Sequence, residues 1–159
     1  MKKTLWIFTV AIIMASCVST SKNKVSGFYS YETICVGANP DGSQRVKGYG
    51  KAASKAEAIE MAKKNALKDV IFKGIRGGSQ GCEVKSVIFD PNLEQTRSDY
   101  FNKFFSTGGD YTKFVSTEGE ATASQEKKEA GKDVTFGVVM TVNRNALRQK
   151  LIDDKLLNP

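Results

Sequence analysis

Two cysteines in the body of the chain, Cys35 and Cys82, carry most of its side-chain reactivity. In an oxidising compartment they have two fates. A bridge would tie the first strand to a distant segment and close a long loop, worth roughly 3–4 kcal/mol in the chain-entropy model. The alternative is two separate buried thiols, and both readings stand at this point. A metal site is disfavoured, because the chain has no histidine and two thiols leave a tetrahedral ion short of ligands. The same lack of histidine removes His-dependent serine and cysteine hydrolases and the commonest general base. Ser54 beside Lys55 is no Ser-Lys pair, since consecutive residues diverge on a helix and serine there reads as its cap. No motif nominates two carboxylates about 5 Å apart, as a retaining glycosidase needs. The expectation is therefore a protein that is not an enzyme and has no catalytic or metal-binding residues.

The densest aromatic stretch is Tyr100, Phe101, Phe104 and Phe105, continued by Tyr111 and Phe114. On a helix, 100/104 and 101/105 each stack one turn apart, while neighbours diverge by about 100°. One pair can face the core while the other meets a partner, so core and partner-binding readings both remain. Lys63, Lys64 and Lys68 read as a solvated basic face. The segment from Gly74 to Gly81 is glycine-rich, with Arg76 inside it, but a helix precedes it. A phosphate loop needs a strand before and a helix after, so it reads as a connection.

Before these elements stands an N-terminal leader. Met1-Lys2-Lys3 is a positive start, and Leu5 to Met14 is an apolar run. It is shorter than the roughly 20 residues that cross a bilayer and fits a signal peptide. The run ends in Met14-Ala15-Ser16-Cys17, which resembles the lipobox of bacterial lipoproteins. The resemblance implies cleavage between Ser16 and Cys17 and a diacylglyceryl and N-acyl lipid on Cys17, with no other cofactor. Met14 departs from the usual leucine. No aspartate follows Cys17, which by the same resemblance points to the periplasm-facing side of a Gram-negative outer membrane. Residues 1–16 are thus expected to be the signal peptide and 17–30 the acylated cysteine and a polar tether. As a coil, Val18 to Ser30 would reach roughly 20 Å.

Residues 31–159 are expected to form one domain, at 40% hydrophobic and 26% charged residues a globular composition. The formal net charge is +7 and loses two with Lys2 and Lys3, a mild basicity spread along the chain that suits a soluble surface or contact with anionic head groups. No nucleic-acid motif is present. Glu32 to Val36 alternates as a strand. Asn39-Pro40-Asp41-Gly42 is a turn, and Ser43 to Ala52 is the partner strand. Ser54 and Glu57 form a capping box before a helix whose buried face is Ile59, Ala62, Ala66, Leu67, Val70 and Ile71, with Gly74 as its stop. Cys82 to Phe89 reads as a strand. Asp90-Pro91 opens a second helix, and Tyr111 to Ser116 is another strand. Glu118 to Lys132 is polar. Asp133 to Asn143 is the strongest strand, and a helix closes the chain over Asn145 to Leu157. The class is α+β, a mostly antiparallel sheet of about four to five strands with two to three helices packed on it.

Gly48-Tyr49-Gly50, Ala52, Ser54, Glu57-Ala58, Ala62 and Asn65-Ala66-Leu67, with the lipobox, resemble small bacterial outer-membrane lipoproteins of the twenty-kilodalton lipoprotein family. In that family a strand ending in a Gly-x-Gly turn enters an alanine-rich helix. The resemblance covers about residues 43 to 75 and implies a compact α+β domain on a lipid anchor, with no catalytic residues to carry over. The expected function is a non-catalytic interaction or assembly module, its partners the membrane, through the anchor, and another envelope protein. The alternative is an enzyme, or an enzyme activator, acting on cell-wall polymer.

Overall fold

The computed structural model describes residues 32–118, 123–128 and 133–159. The expected signal peptide, Cys17 and the tether lie outside them.

The Asn39–Gly42 turn forms because Asp41 Oδ1 accepts from both the backbone N–H and the hydroxyl of Ser43, at 2.9 and 2.6 Å. It joins β1 (Ile34–Ala38) to β2 (Gln44–Ala52) as an antiparallel hairpin. β2 in turn pairs along its full length with β6 (Val134–Val142), again antiparallel. β4 (Val115–Thr117) and β5 (Ala123–Lys128) share the far edge of β6, β4 beside Met140–Val142 and β5 beside Val134–Val138. β3 is two residues, Gly77–Gly78, and runs parallel to β1. Six strands thus occupy five positions, in an α+β sheet that is antiparallel apart from one short pair.

α1 (Lys55–Lys68) starts with the capping box read from the sequence: Ser54 Oγ accepts from the Glu57 N–H, and the Ser54 N–H donates to Glu57 Oε2. It lies on β2 through Ala58, Ala62 and Ala66, all fully buried. Opposite them stand Gly48 and Gly50. A Cβ at Gly50 would lie 1.9 Å from the carbonyl oxygen of Ala58, so only glycine lets the helix approach this closely. The strand expected over Ser43 to Ala52 forms as β2, whereas the family resemblance implied a Gly-x-Gly turn at its end. Gly48 and Gly50 lie inside this strand, because pairing to β6 persists through Ala52.

α1 continues into a π-helical turn, Asp69–Lys73, closed by the Gly74 N–H donating to Asp69 O at 2.7 Å. After it the expected strand over Cys82 to Phe89 does not form. Val87 and Ile88 instead donate their N–H groups to Val70 and Ile71 carbonyls at 3.1 and 2.8 Å, capping the helix end rather than joining the sheet. The second helix also starts later than Asp90-Pro91. Asp90 Oδ1 accepts from the Asn92 N–H in a turn, and the chain then forms α2 (Leu93–Thr96) and α3 (Ser98–Phe104). Residues 110–113 make a 3-10 turn where a strand was expected, and extended pairing begins only at Val115. α4 (Arg144–Asp153) is capped by the Asn143 side chain, which accepts from the Ala146 N–H at 3.0 Å. Leu147 and Leu151 bury its inner face. Among the described residues no helix is long and apolar enough to cross a membrane.

Candidate functional site

Cys35 and Cys82 form a disulfide, with Cα atoms 5.9 Å apart. β1 carries one sulfur, and the other stands at the start of the loop that leads to Val87. Gly78, paired with Cys35 along the edge of β1, has φ +99°, and a Cβ there would meet the Cys35 carbonyl oxygen at 2.2 Å. The glycine-rich segment thus lets the chain lie flat against β1 and bring Cys82 into range.

The aromatic strip follows the core reading, with Tyr100 alone half-buried. Phe101, Phe104 and Phe105 are all buried, at 3, 3 and 8% exposure, so neither helical pair reaches a partner through these rings. The reason is crowding on both sides of the short α3. Phe72 of the π turn packs edge-on to Phe101 at 5.0 Å, while Phe114 stacks on Phe104 at 6.0 Å and Tyr111 lies 6.0 Å from Phe105. Tyr100 is half-buried and stacks on Phe104. Its hydroxyl donates to Asp154 Oδ2 at 2.5 Å, and Lys150 Nζ lies 2.7 Å from Asp154 Oδ1. Burial, then the Asp154 carboxylate, pushes the Tyr100 hydroxyl far above the ordinary phenol range. Burial alone would raise the Asp154 carboxyl; Lys150 and Tyr100 outweigh it and hold it below the ordinary range.

Other charged residues are likewise engaged. Asp69 Oδ2 accepts from the Thr33 hydroxyl at 2.6 Å, and Lys73 Nζ stands 2.9 Å from its other oxygen. The lysines expected to form a solvated face are partly covered. Lys64 lies over the Tyr111 ring at 5.3 Å, Lys63 pairs with Glu60, and Lys68 pairs with Glu94 at 3.0 Å. Lys68 and Glu94, with Lys73 and Asp69, line a cleft of about 370 Å³ whose charges pair among themselves. Ser54 and Lys55 show no pairing with each other; the Ser54 hydroxyl is used by Glu57. No group of three His, Cys, Asp or Glu side chains able to hold a metal occurs among the described residues.

A second cleft, about 380 Å³, opens at the C-terminal end of α4. Val87, Ile88, Leu93, Leu156 and Leu157 give it an apolar lining, and Phe89, Asp90, Arg148 and Lys155 stand around it. Phe89 is 75% exposed. Lys155 follows the last turn of α4 with φ +59°, as the Leu156 N–H returns to Leu151 O at 2.8 Å. That left-handed position normally belongs to glycine. At the other end of α4, Arg144 donates to Ser86 O at 3.3 Å, and burial pushes its guanidinium below the ordinary range. Sequence reasoning missed this cleft. Its one legible signal is the helix stop at Asp154-Lys155, where a lysine replaces the usual glycine.

Comparisons with protein-family models, with curated proteins and with solved structures find no match.

Proposed function

We propose that this chain is a lipoprotein of the bacterial envelope, held by lipid on Cys17 at the periplasmic side of the outer membrane and serving as a non-catalytic interaction module. The observation that carries the reading is the disulfide. The chain has three cysteines, and the bridge uses Cys35 and Cys82, which leaves Cys17 as the thiol available for acylation. A structural disulfide also suits an oxidising compartment outside the cytoplasm. Four carboxylates are committed to structure, which supports the non-catalytic part: Glu57 serves a helix cap, Asp41 a turn, and Asp69 and Asp154 are each held by a hydroxyl and an ammonium.

The test is intact mass and membrane partition of the native protein beside Cys17→Ser. A mature chain beginning at residue 17 with the added mass of its acyl groups, and a variant that is neither cleaved nor acylated, would support the anchor. An unmodified, freely soluble wild type would overturn it.

A further inference from the structure

We propose that the loop bearing Phe89, with Arg148 and Lys155 beside it, docks the domain onto an anionic phospholipid surface. This rests on the lipid-anchored reading and deepens it, by stating which face of the domain meets the membrane.

Three observations meet here. The first is exposure. Of the three large apolar side chains that stand open to solvent among the described residues, Met61, Val84 and Phe89, two are on this loop. The loop is no loose segment: the disulfide fixes its start, Arg144 holds the Ser86 carbonyl, and Val87 and Ile88 are bonded to the end of α1. Phe89 is therefore presented on a stiff support, at little entropic cost when it enters an interface.

The second is charge. Arg148 and Lys155 both line the cleft beside Phe89, in contrast to the self-paired charges of the other cleft. Asp90 lines the same cleft, so two cations face one carboxylate there. An aromatic ring beside this cationic excess matches the boundary between phosphate head groups and acyl chains. Each cation close to an anionic leaflet strengthens attachment roughly fivefold.

The third is strain. Lys155 occupies a left-handed backbone conformation that glycine adopts without cost. Glycine would relieve that strain, whereas lysine puts a cationic residue in the lining of the cleft.

The position also suits a tether. The described chain enters the fold through Thr33, held by Asp69, and the next two residues of that turn, Val70 and Ile71, hold the Phe89 loop. An anchor at Cys17 would deliver the domain to the bilayer at that end. A tether of this length raises the local concentration to the order of millimolar, so weak contacts suffice.

The probe is the mature acylated protein carrying Phe89→Trp; the only native tryptophan, Trp6, lies in the leader. Co-sedimentation with vesicles reads the anchor, and emission reads docking, so the two can fail separately. On vesicles of phosphatidylglycerol in phosphatidylcholine the emission is expected to shift to the blue and to be quenched by brominated lipid. Pure phosphatidylcholine should give no shift. Arg148→Glu with Lys155→Gly should abolish the shift, while Lys155→Gly alone raises the midpoint of unfolding and weakens docking. Equal emission on both vesicles, or a shift that survives the charge changes, would overturn the proposal. So would a shift produced equally by a soluble acidic polypeptide, which would assign the face to a protein partner.

Discussion

The Tyr100 hydroxyl donates to Asp154, and that hydrogen bond fastens α3 to the end of α4. The same carboxylate receives Lys150 on its other oxygen. One aspartate thus joins the aromatic layer to the C-terminal helix. Tyr100→Phe is expected to cost about 1 kcal/mol at neutral pH, allowing for the partly solvated site. The cost depends on pH in a defined way. The folded state holds Tyr100 protonated beyond its ordinary value of 10.0, so the wild type loses stability as pH rises above that value and the variant does not. At the other end, Asp154 is held below 3.8, and its contribution is lost as pH falls through the lowered value. Urea unfolding of both proteins across pH should show a gap that narrows at each extreme. A constant gap would mean that the hydroxyl contributes only packing.

Gly50→Ala should be far more damaging than its one added methyl suggests. The new Cβ would meet backbone atoms of Ala58 and Ala62 at 1.9 and 2.4 Å, and neither can step aside without moving α1 off the sheet. A loss of about 3 kcal/mol or more, or failure to fold, is expected. Circular dichroism during denaturant titration reads it directly; a fold with unchanged stability would contradict the close approach.

Reduction of the Cys35–Cys82 bridge, or Cys35→Ala with Cys82→Ala, should lower stability by about 2–4 kcal/mol. Alkylation followed by mass spectrometry supplies the control. Neither thiol should react until reductant is added.

Tyr111 is fully buried, yet its hydroxyl has no hydrogen-bond partner among the described residues. Tyr111→Phe is therefore expected to leave stability unchanged or to raise it by up to about 1 kcal/mol. Tyr111→Ala should cost about 3–5 kcal/mol through the cavity it opens. Thermal unfolding of the two variants separates ring from hydroxyl.

Phe101→Ala and Phe104→Ala should each cost about 3–5 kcal/mol, as befits rings inside the core. Phe89→Ser should be nearly neutral in stability. If the order were reversed, the assignment of core and surface aromatics would be wrong.

Much of the fold was legible because it rests on local rules. The Asn39–Gly42 turn, the Ser54–Glu57 capping box and the Val134–Val142 strand each carry their signal within a few residues. What escaped depends on partners far along the chain. Val84, Val87, Ile88 and Phe89 look like a strand, but a strand needs an open edge beside it, and the outer edge of β1 is taken by Gly77–Gly78. The aromatic pairs of α3 offered an inner and an outer face. Nothing within 100–105 says that Phe72 and Phe114 arrive from opposite sides and cover both. The C-terminal cleft joins residues 87–93 to 148–158, and no local pattern reports such a meeting.

The central pairing of β2 with β6 also governs the order of assembly. β2 stands near the start of the domain, yet its long inner edge waits for a strand near the other end of the chain. Such long-range closure slows folding and leaves an unpaired edge exposed until late. The N-terminal half, ringed by its disulfide around the hairpin and α1, can hold a native-like shape during that wait, but it cannot finish the sheet alone. Truncations that stop before Val134 should therefore aggregate rather than yield a smaller stable domain.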